Sequence, residues 1–339
     1  MNYKIKFSTS NTYWNWIRQT PGRKGLWGES QFFMNEDIEK CDFWFVYEDL
    51  PKNETVKCPQ ENTVLITGEP ESVKKYNEKF LEQFGTIITS NRTLKHRNII
   101  YSQQGLPWFV GGKFQKETKS WKEKFDKDYD ELVSVKSVDK TKSVSIVFSD
   151  KTFTKGHIKR IEFVKKLKEY FGDKLDVFGI GFNEVEDKWD ALSPYKYAVV
   201  VENSSYDDYW TEKLSDAYLS FCYPIYYGCK NIDRYFDKDA MMVIDINDLR
   251  GSVEKIEKAM SENYYERYYE KIIEARELVL NKYNIFALMS DFVNKNFVDG
   301  EKELITIYPQ KFFEKEPNVF QKAVSKIKRI YKEIVYGRK

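Results

Sequence analysis

Residues 195–228, YKYAVVVENSSYDDYWTEKLSDAYLSFCYPIYYG, constrain the fold more than any other stretch. They read as a buried strand, a polar acidic turn, a helix opening on Thr211-Glu212-Lys213, and a second buried strand. A short apolar run, a helix-length segment and another apolar run form the repeat unit of an α/β sheet. The alternation extends in both directions. In the first third, the apolar runs at 3–8, 42–47, 64–67, 86–89 and 99–102 predict buried strands. Residues 73–84 predict a helix with Ser72 as N-cap and with Tyr76, Phe80 and Phe84 on one face. Later, 144–148, 175–178, 197–201, 223–227 and 241–246 predict strands, and 157–171 and 211–220 predict helices. Two alternating halves predict two Rossmann-like domains facing a cleft. A chain of 339 residues is long enough for both.

The segment 116–142 is highly charged and contains neither Gly nor Pro. It reads as a solvated helix-loop insertion, with the domain boundary near its end. This divides the chain into 1–140, 141–300 and a helical tail, 301–339. In the tail, Phe320, Ala323, Val324, Ile327, Tyr331, Ile334 and Val335 recur at helical spacing, and Lys322, Lys326, Lys328, Arg329 and Lys332 take up much of the remainder. A basic amphipathic helix of this kind suits an anionic membrane surface or a docked helix with a solvated face equally well.

Composition removes several function classes. The 55 basic and 53 acidic side chains nearly cancel, so net charge gives no reason to expect nucleic-acid binding. His96 and His157 are the only histidines, which excludes a multi-histidine metal site. Cys41, Cys58, Cys222 and Cys229 lack CxxC spacing and read as reduced thiols. The N-terminus has no signal-peptide run, and no window approaches a membrane span. A cytoplasmic enzyme, peripheral at most, is the expectation.

The chemistry-bearing residues gather at strand ends and helix starts. Lys213 lies in the first turn after the N-cap Thr211, and Lys155, His157, Lys159 and Arg160 crowd the start of the preceding long helix. Cations at a partially positive helix start are locally unfavourable unless an anion arrives, and a pyrophosphate between the two starts would satisfy both. Exposed cations reaching into solvent account for the same pattern. Glu202 and Asn203 follow the apolar run 198–201, at the carboxyl end of a strand, where α/β sheets bind ligands. With Tyr209 and Glu212 just downstream, these residues supply hydroxyl acceptors, an amide and a phenol suited to a nucleotide. Thr67-Gly68-Glu69-Pro70 forms a tight strand exit that aims Glu69 outward, as a base or as an ordinary turn carboxylate. The Gly179-Ile180-Gly181 turn and the Asp-x-Asp triplets are too common to assign a phosphate or a metal.

These residues resemble the donor-binding signature of the GDP-fucose-using alpha-1,3/4-fucosyltransferase family, glycosyltransferase family 10. The match runs through Tyr195-Lys196-Tyr197, Glu202-Asn203-Ser204, Asp208-Tyr209, Thr211-Glu212-Lys213 and Pro224, with Arg160 and Thr67-Gly68-Glu69 outside it. Val201 replaces the family's usual aromatic, and Phe221-Cys222-Tyr223 replace its small residues. The resemblance implies a GT-B architecture with acceptor on the first domain and GDP-sugar on the second. It implies that Arg160 and Lys213 hold the diphosphate, that Glu212 and Tyr209 bind ribose or the adjacent nucleotide, that Asn203 sits near the donor sugar or phosphates, and that Glu202 belongs to the donor-binding set. Glu69 would be the general base of an inverting, metal-independent transfer of L-fucose to a glycan hydroxyl, with N-acetylglucosamine of a surface polysaccharide or lipopolysaccharide as the expected acceptor. Another GDP-deoxysugar donor, or a non-catalytic sugar- or nucleotide-binding protein on the same fold, is the alternative.

Overall fold

The computed structural model describes residues 3–115, 118, 120, 121, 125–148, 155–179 and 182–314. Ile180, Gly181, the expected helix around 320–335 and the side chains of Lys155 and His157 lie outside this description. The first third builds strands β1 (Tyr3–Thr9), β2 (Leu26–Trp27), β3 (Ser30–Met34), β4 (Phe43–Tyr47), β5 (Glu54–Cys58), β6 (Thr63–Ile66), β7 (Thr86–Thr89) and β8 (Ile99–Tyr101). Seven of them form one sheet in the order β2-β3-β1-β4-β6-β7-β8, parallel apart from the β2–β3 pair. The central strands FWFVY, TVLI and TIIT are buried along their whole length. Continuous apolar runs are what a parallel sheet covered on both faces requires. Alternate residues divide between two cores. Phe43, Phe45, Val64 and Ile66 face one side; Trp44, Val46, Leu65 and Ile87 face the other.

The helix expected over 73–84 is shorter, Glu78–Leu81 (α1), and its N-cap is Asn77 rather than Ser72. Pro70 opens a turn in which its carbonyl accepts from both Val73 and Lys74, and that turn occupies the residues assigned to the first helical turn. The expected aromatic row survives: Tyr76 stacks on Phe80 at 6.3 Å and Phe80 meets Phe84 edge-on at 5.3 Å.

The charged segment contributes Tyr129–Ser134 (α2), closed by a capping box between Asp128 and Glu131. The second sheet is wholly parallel. Its strands are β9 (Lys142–Val147), β10 (Leu175–Phe178), β11 (Tyr195–Val201), β12 (Tyr223–Tyr227) and β13 (Met242–Val243), ordered β10-β9-β11-β12-β13. Between and after them run α3 (Lys155–Phe171), α4 (Lys188–Leu192), α5 (Glu212–Leu219), α6 (Leu249–Ser261), α7 (Tyr264–Arg267) and α8 (Tyr269–Asn281). Two Rossmann-like domains with C-terminal helices make this a GT-B architecture.

The chain does not stay in the second domain as far as residue 300. It crosses back at Asn284, and α9 (Ile285–Asn296) lays Ile285, Phe286, Met289, Phe292 and Val293 on the first sheet. Strand β14 (Glu303–Ile307) then pairs antiparallel with β5. Helical periodicity carries no information about which of two apolar faces such a helix covers.

Residues 108–111 link the domains and are held by buried side chains from both. Arg18, 1% exposed, donates to the carbonyls of Trp108, Val110 and Lys127. Asp216 of α5 accepts from the amides of Phe109 (2.8 Å) and Val110 (3.1 Å). Asp187 accepts from Gly111 and from Trp189, each at 2.8 Å. Burial pushes the Asp187 carboxyl up to about 6 against the opposing pull of those two amides. Its ordinary value is 3.8, so the folded protein binds a proton here that the unfolded chain has released. This stabilising term is fully present below 3.8 and is lost as pH rises through about 6. In Asp187→Asn, melting temperature followed from pH 4 to 7 is therefore expected to lose this component. Profiles that differ only by a constant offset would contradict the assignment.

Candidate active site

The carboxyl ends of β6 and β11 lead into one electrostatic neighbourhood, in which Glu69 acts on Tyr206 and Tyr209. On the first domain, Thr67 closes the strand through a 2.6 Å hydroxyl contact with Thr89, and Gly68 and Pro70 are buried on either side of the exposed Glu69. A Cβ on Gly68 would lie 2.3 Å from the Tyr47 hydroxyl, so only glycine admits this exit. Glu69 is within electrostatic reach of the opposite wall. Burial, and after it the Glu69 and Glu202 carboxylates, together push the Tyr206 phenol up to about 12 against the opposing pull of a hydrogen bond with Ser90. Tyr209 is also raised, first by burial and then by Glu202, Tyr206 and Glu69. Tyr47 of the first domain likewise responds to Glu212 of the second.

On the second domain, β11 delivers Glu202 into a closed chamber beside Gly228, where any Cβ would meet the Glu202 Cγ at 2.5 Å. Glu202 is 1% exposed. Its Oε1 accepts from the Thr211 amide (2.8 Å) and hydroxyl (2.9 Å), and its Oε2 contacts that hydroxyl (2.7 Å) and Lys213 Nζ (3.1 Å). With its oxygens engaged, Glu202 holds the N-cap and the lysine and is not open to a ribose. Thr211 caps α5, placing Glu212 and Lys213 in its first turn.

Lys213 Nζ also meets Thr211 Oγ1 at 2.9 Å and Glu212 Oε1 at 3.4 Å. Burial opposes its charge, but Glu202 and Glu212 more than compensate and raise its pKa. The expectation that this cation waits for an anion is therefore revised: two carboxylates already neutralise it. Glu212 is its counterpart, with burial opposing ionisation and Lys213, then Lys188, holding the carboxyl down at about 2. Arg160, 2% exposed, donates from Nη1 to Asn203 Oδ1 at 2.6 Å. Burial lowers its pKa, with Glu202, Glu212 and Tyr209 opposing the shift. Lys159, its neighbour in sequence, is exposed and turns away to Asn247. Tyr209 is buried at 2% exposure, tilted against Tyr206 at 4.8 Å.

The structure thus brings Arg160, Glu202, Asn203, Tyr209, Glu212 and Lys213 into one patch and sets Glu69 across from it. Sequence reading missed Lys188, which bonds Asp216 at 3.0 Å and supports Glu212. It also missed the cross-domain pair of Arg92 and the fully buried Asp208. Asp208 sits at φ 62 and also accepts from Tyr235 (2.6 Å) and Asn231 (3.0 Å). Neither pairing has a signal in local spacing. Val201, Phe221, Cys222 and Tyr223 are all core residues, each at most 4% exposed. Among the described residues, no group of three or more His, Cys, Asp or Glu side chains is arranged to hold a metal ion.

Residues 137–279 match the family model described as glycosyltransferase family 10 (fucosyltransferase) C-term. The similarity to that family lies in this segment, less than half of the chain. It is 33% identical over 78 residues to the Alpha-(1,3)-fucosyltransferase FucT of Helicobacter pylori, a stretch that makes up 23% of this chain and 16% of that relative. A crystal structure of an alpha1,3-fucosyltransferase with GDP-fucose aligns over 83% of this chain and 90% of its own, at 18% identity and TM-score 0.46. One with GDP aligns over 84% and 92%, at 17% identity and TM-score 0.46.

Proposed function

We propose that this protein is an inverting fucosyltransferase that moves L-fucose from GDP-fucose to a glycan hydroxyl. The observation that carries the reading is the opposition of Glu69 on one wall to the Arg160–Asn203 and Glu212–Lys213 cluster on the other, within the segment that matches the family. As the bond to GDP lengthens, negative charge gathers on the diphosphate and positive charge on the sugar. Arg160, Lys213 and the start of α5 meet the diphosphate, already oriented by Asn203 and Glu202, so little reorganisation accompanies the reaction. Glu69 takes the proton of the acceptor hydroxyl as it attacks the opposite face of the sugar, giving one displacement and inversion. Closure of the cleft excludes water from the developing oxocarbenium. The mechanism needs no metal. The acceptor class is an N-acetylglucosamine-containing glycan, free or lipid-linked, at the inner face of the cytoplasmic membrane. Among the described residues no helix is long and apolar enough to cross a membrane.

The test is a melting-temperature panel with GDP, GDP-fucose, UDP and UDP-sugars. Stabilisation by the GDP ligands alone, lost in Arg160→Ala, is the expected result. Equal stabilisation by UDP ligands would remove the donor assignment. Stabilisation by GDP without any acceptor-dependent GDP release would leave a non-catalytic binding protein.

A further inference from the structure

We propose that Glu48 is a positioning residue that aims Glu69 at the acceptor hydroxyl, a role that rests on reading Glu69 as the base. Glu48 is the first residue after β4 and adopts φ 67, a backbone conformation suited to glycine and unfavourable for glutamate. Such a conformation persists only where its surroundings over-determine it. Here its amide donates to the Ile66 carbonyl at 2.8 Å, and its own carbonyl accepts from Lys74 Nζ at 3.0 Å.

The side chain explains why a glutamate occupies the position. Its Oε1 accepts from two consecutive amides, those of Gly68 and Glu69, the latter at 2.5 Å. Its Oε2 accepts from the Tyr76 hydroxyl at 2.6 Å and pairs with Lys74 Nζ at 2.8 Å. One carboxylate therefore gathers the backbone on both sides of the Gly68–Glu69 peptide through charge-assisted bonds, the strong class of hydrogen bond. Pro70, next in the chain, has no amide to contribute. Lys74 neutralises the carboxylate, which is only 12% exposed, so Glu48 holds the turn without presenting its own charge to the acceptor. Removing it would free the peptide that carries Glu69, and misplacement of a reacting group by about 1 Å can cost on the order of 100-fold.

The position offers a direct variant. Glu48→Gly deletes the carboxylate and relieves the positive φ but leaves Lys74, Tyr76 and two amides without their acceptor, so its melting temperature is measured beside the assay and kcat is compared where the protein is folded. The assay is GDP release from GDP-fucose with N-acetyllactosamine as acceptor, alongside the melting-temperature gain on adding GDP. Glu48→Gly should lower kcat by roughly 10–100-fold with the GDP response unchanged. Glu48→Gln keeps an oxygen for both amides and should recover turnover to within about threefold of wild type. In a Glu69→Ala background, Glu48→Gly should cost nothing more, because a positioning residue acts only through the group it positions. Wild-type kcat in Glu48→Gly beside an inactive Glu69→Ala would overturn the positioning role alone. Normal turnover in Glu69→Ala, or a wild-type protein silent in the assay, would overturn the base reading as well. If Glu48→Gly does not fold, Glu48→Asn takes its place, since asparagine tolerates positive φ and is one methylene too short for the turn.

Discussion

Glu69→Ala is expected to abolish sugar transfer while GDP-fucose still binds. General-base catalysis contributes about 10²–10⁴-fold, and the loss should fall in kcat. The groups proposed to hold the donor, Arg160, Asn203, Glu212 and Lys213, follow the second sheet's strands, so the GDP-dependent rise in melting temperature should match wild type. Steady-state GDP release and that thermal shift, both measured with EDTA present, test the two halves separately. Wild-type transfer by the variant would remove Glu69 from the chemistry. An equal loss of GDP binding would make it part of the donor site instead. Activity that disappears in EDTA would contradict a leaving group held by cations of the protein alone.

Lys213→Ala should fail differently, losing stability and donor binding together. The lysine is the cationic partner of Glu202, whose side chain has no solvent exposure, and it shares Glu212 with Lys188. Removing one member of a buried pair strands the other, a loss of about 3–5 kcal/mol. The two effects can be separated by repairing the charge. In Lys213→Met with Glu202→Gln, a neutral amide replaces the stranded carboxylate and can still accept from Thr211. The double variant is expected to regain most of the melting temperature and none of the GDP response. Recovery of both would show that Lys213 only neutralises Glu202 and does not touch the donor.

The sheets were legible because parallel strands covered on both faces are written as unbroken apolar runs. Val64, Leu65 and Ile66, or Ala198 to Val201, have few other readings. Lys213 and Glu202 were legible as members of one neighbourhood because a strand end and the next helix start are close in any βαβ unit. Their relation was not. Whether Glu202 faces a ligand or turns inward onto Thr211 depends on the room left by Gly228, which lies far along the chain. Glu48 was overlooked for a similar reason. Its partners, Gly68, Glu69, Lys74 and Tyr76, come from the exit of a neighbouring strand and the turn after it, and no periodicity connects them. The helix misassigned over 73–84 shows the converse error, in which a correct aromatic row was given about two turns too many, partly because a Pro70 turn also places residues on one side.

The crossing of the chain at Asn284 sets an order of assembly during synthesis. Everything that completes the second sheet lies before that residue, whereas one face of the first sheet receives Phe286, Met289 and Val293 only from α9. A growing chain can therefore bury the second sheet while still tethered to the ribosome. The first sheet keeps that apolar face uncovered until α9 has been made. The sheet whose strands are translated before those of the second is completed after it.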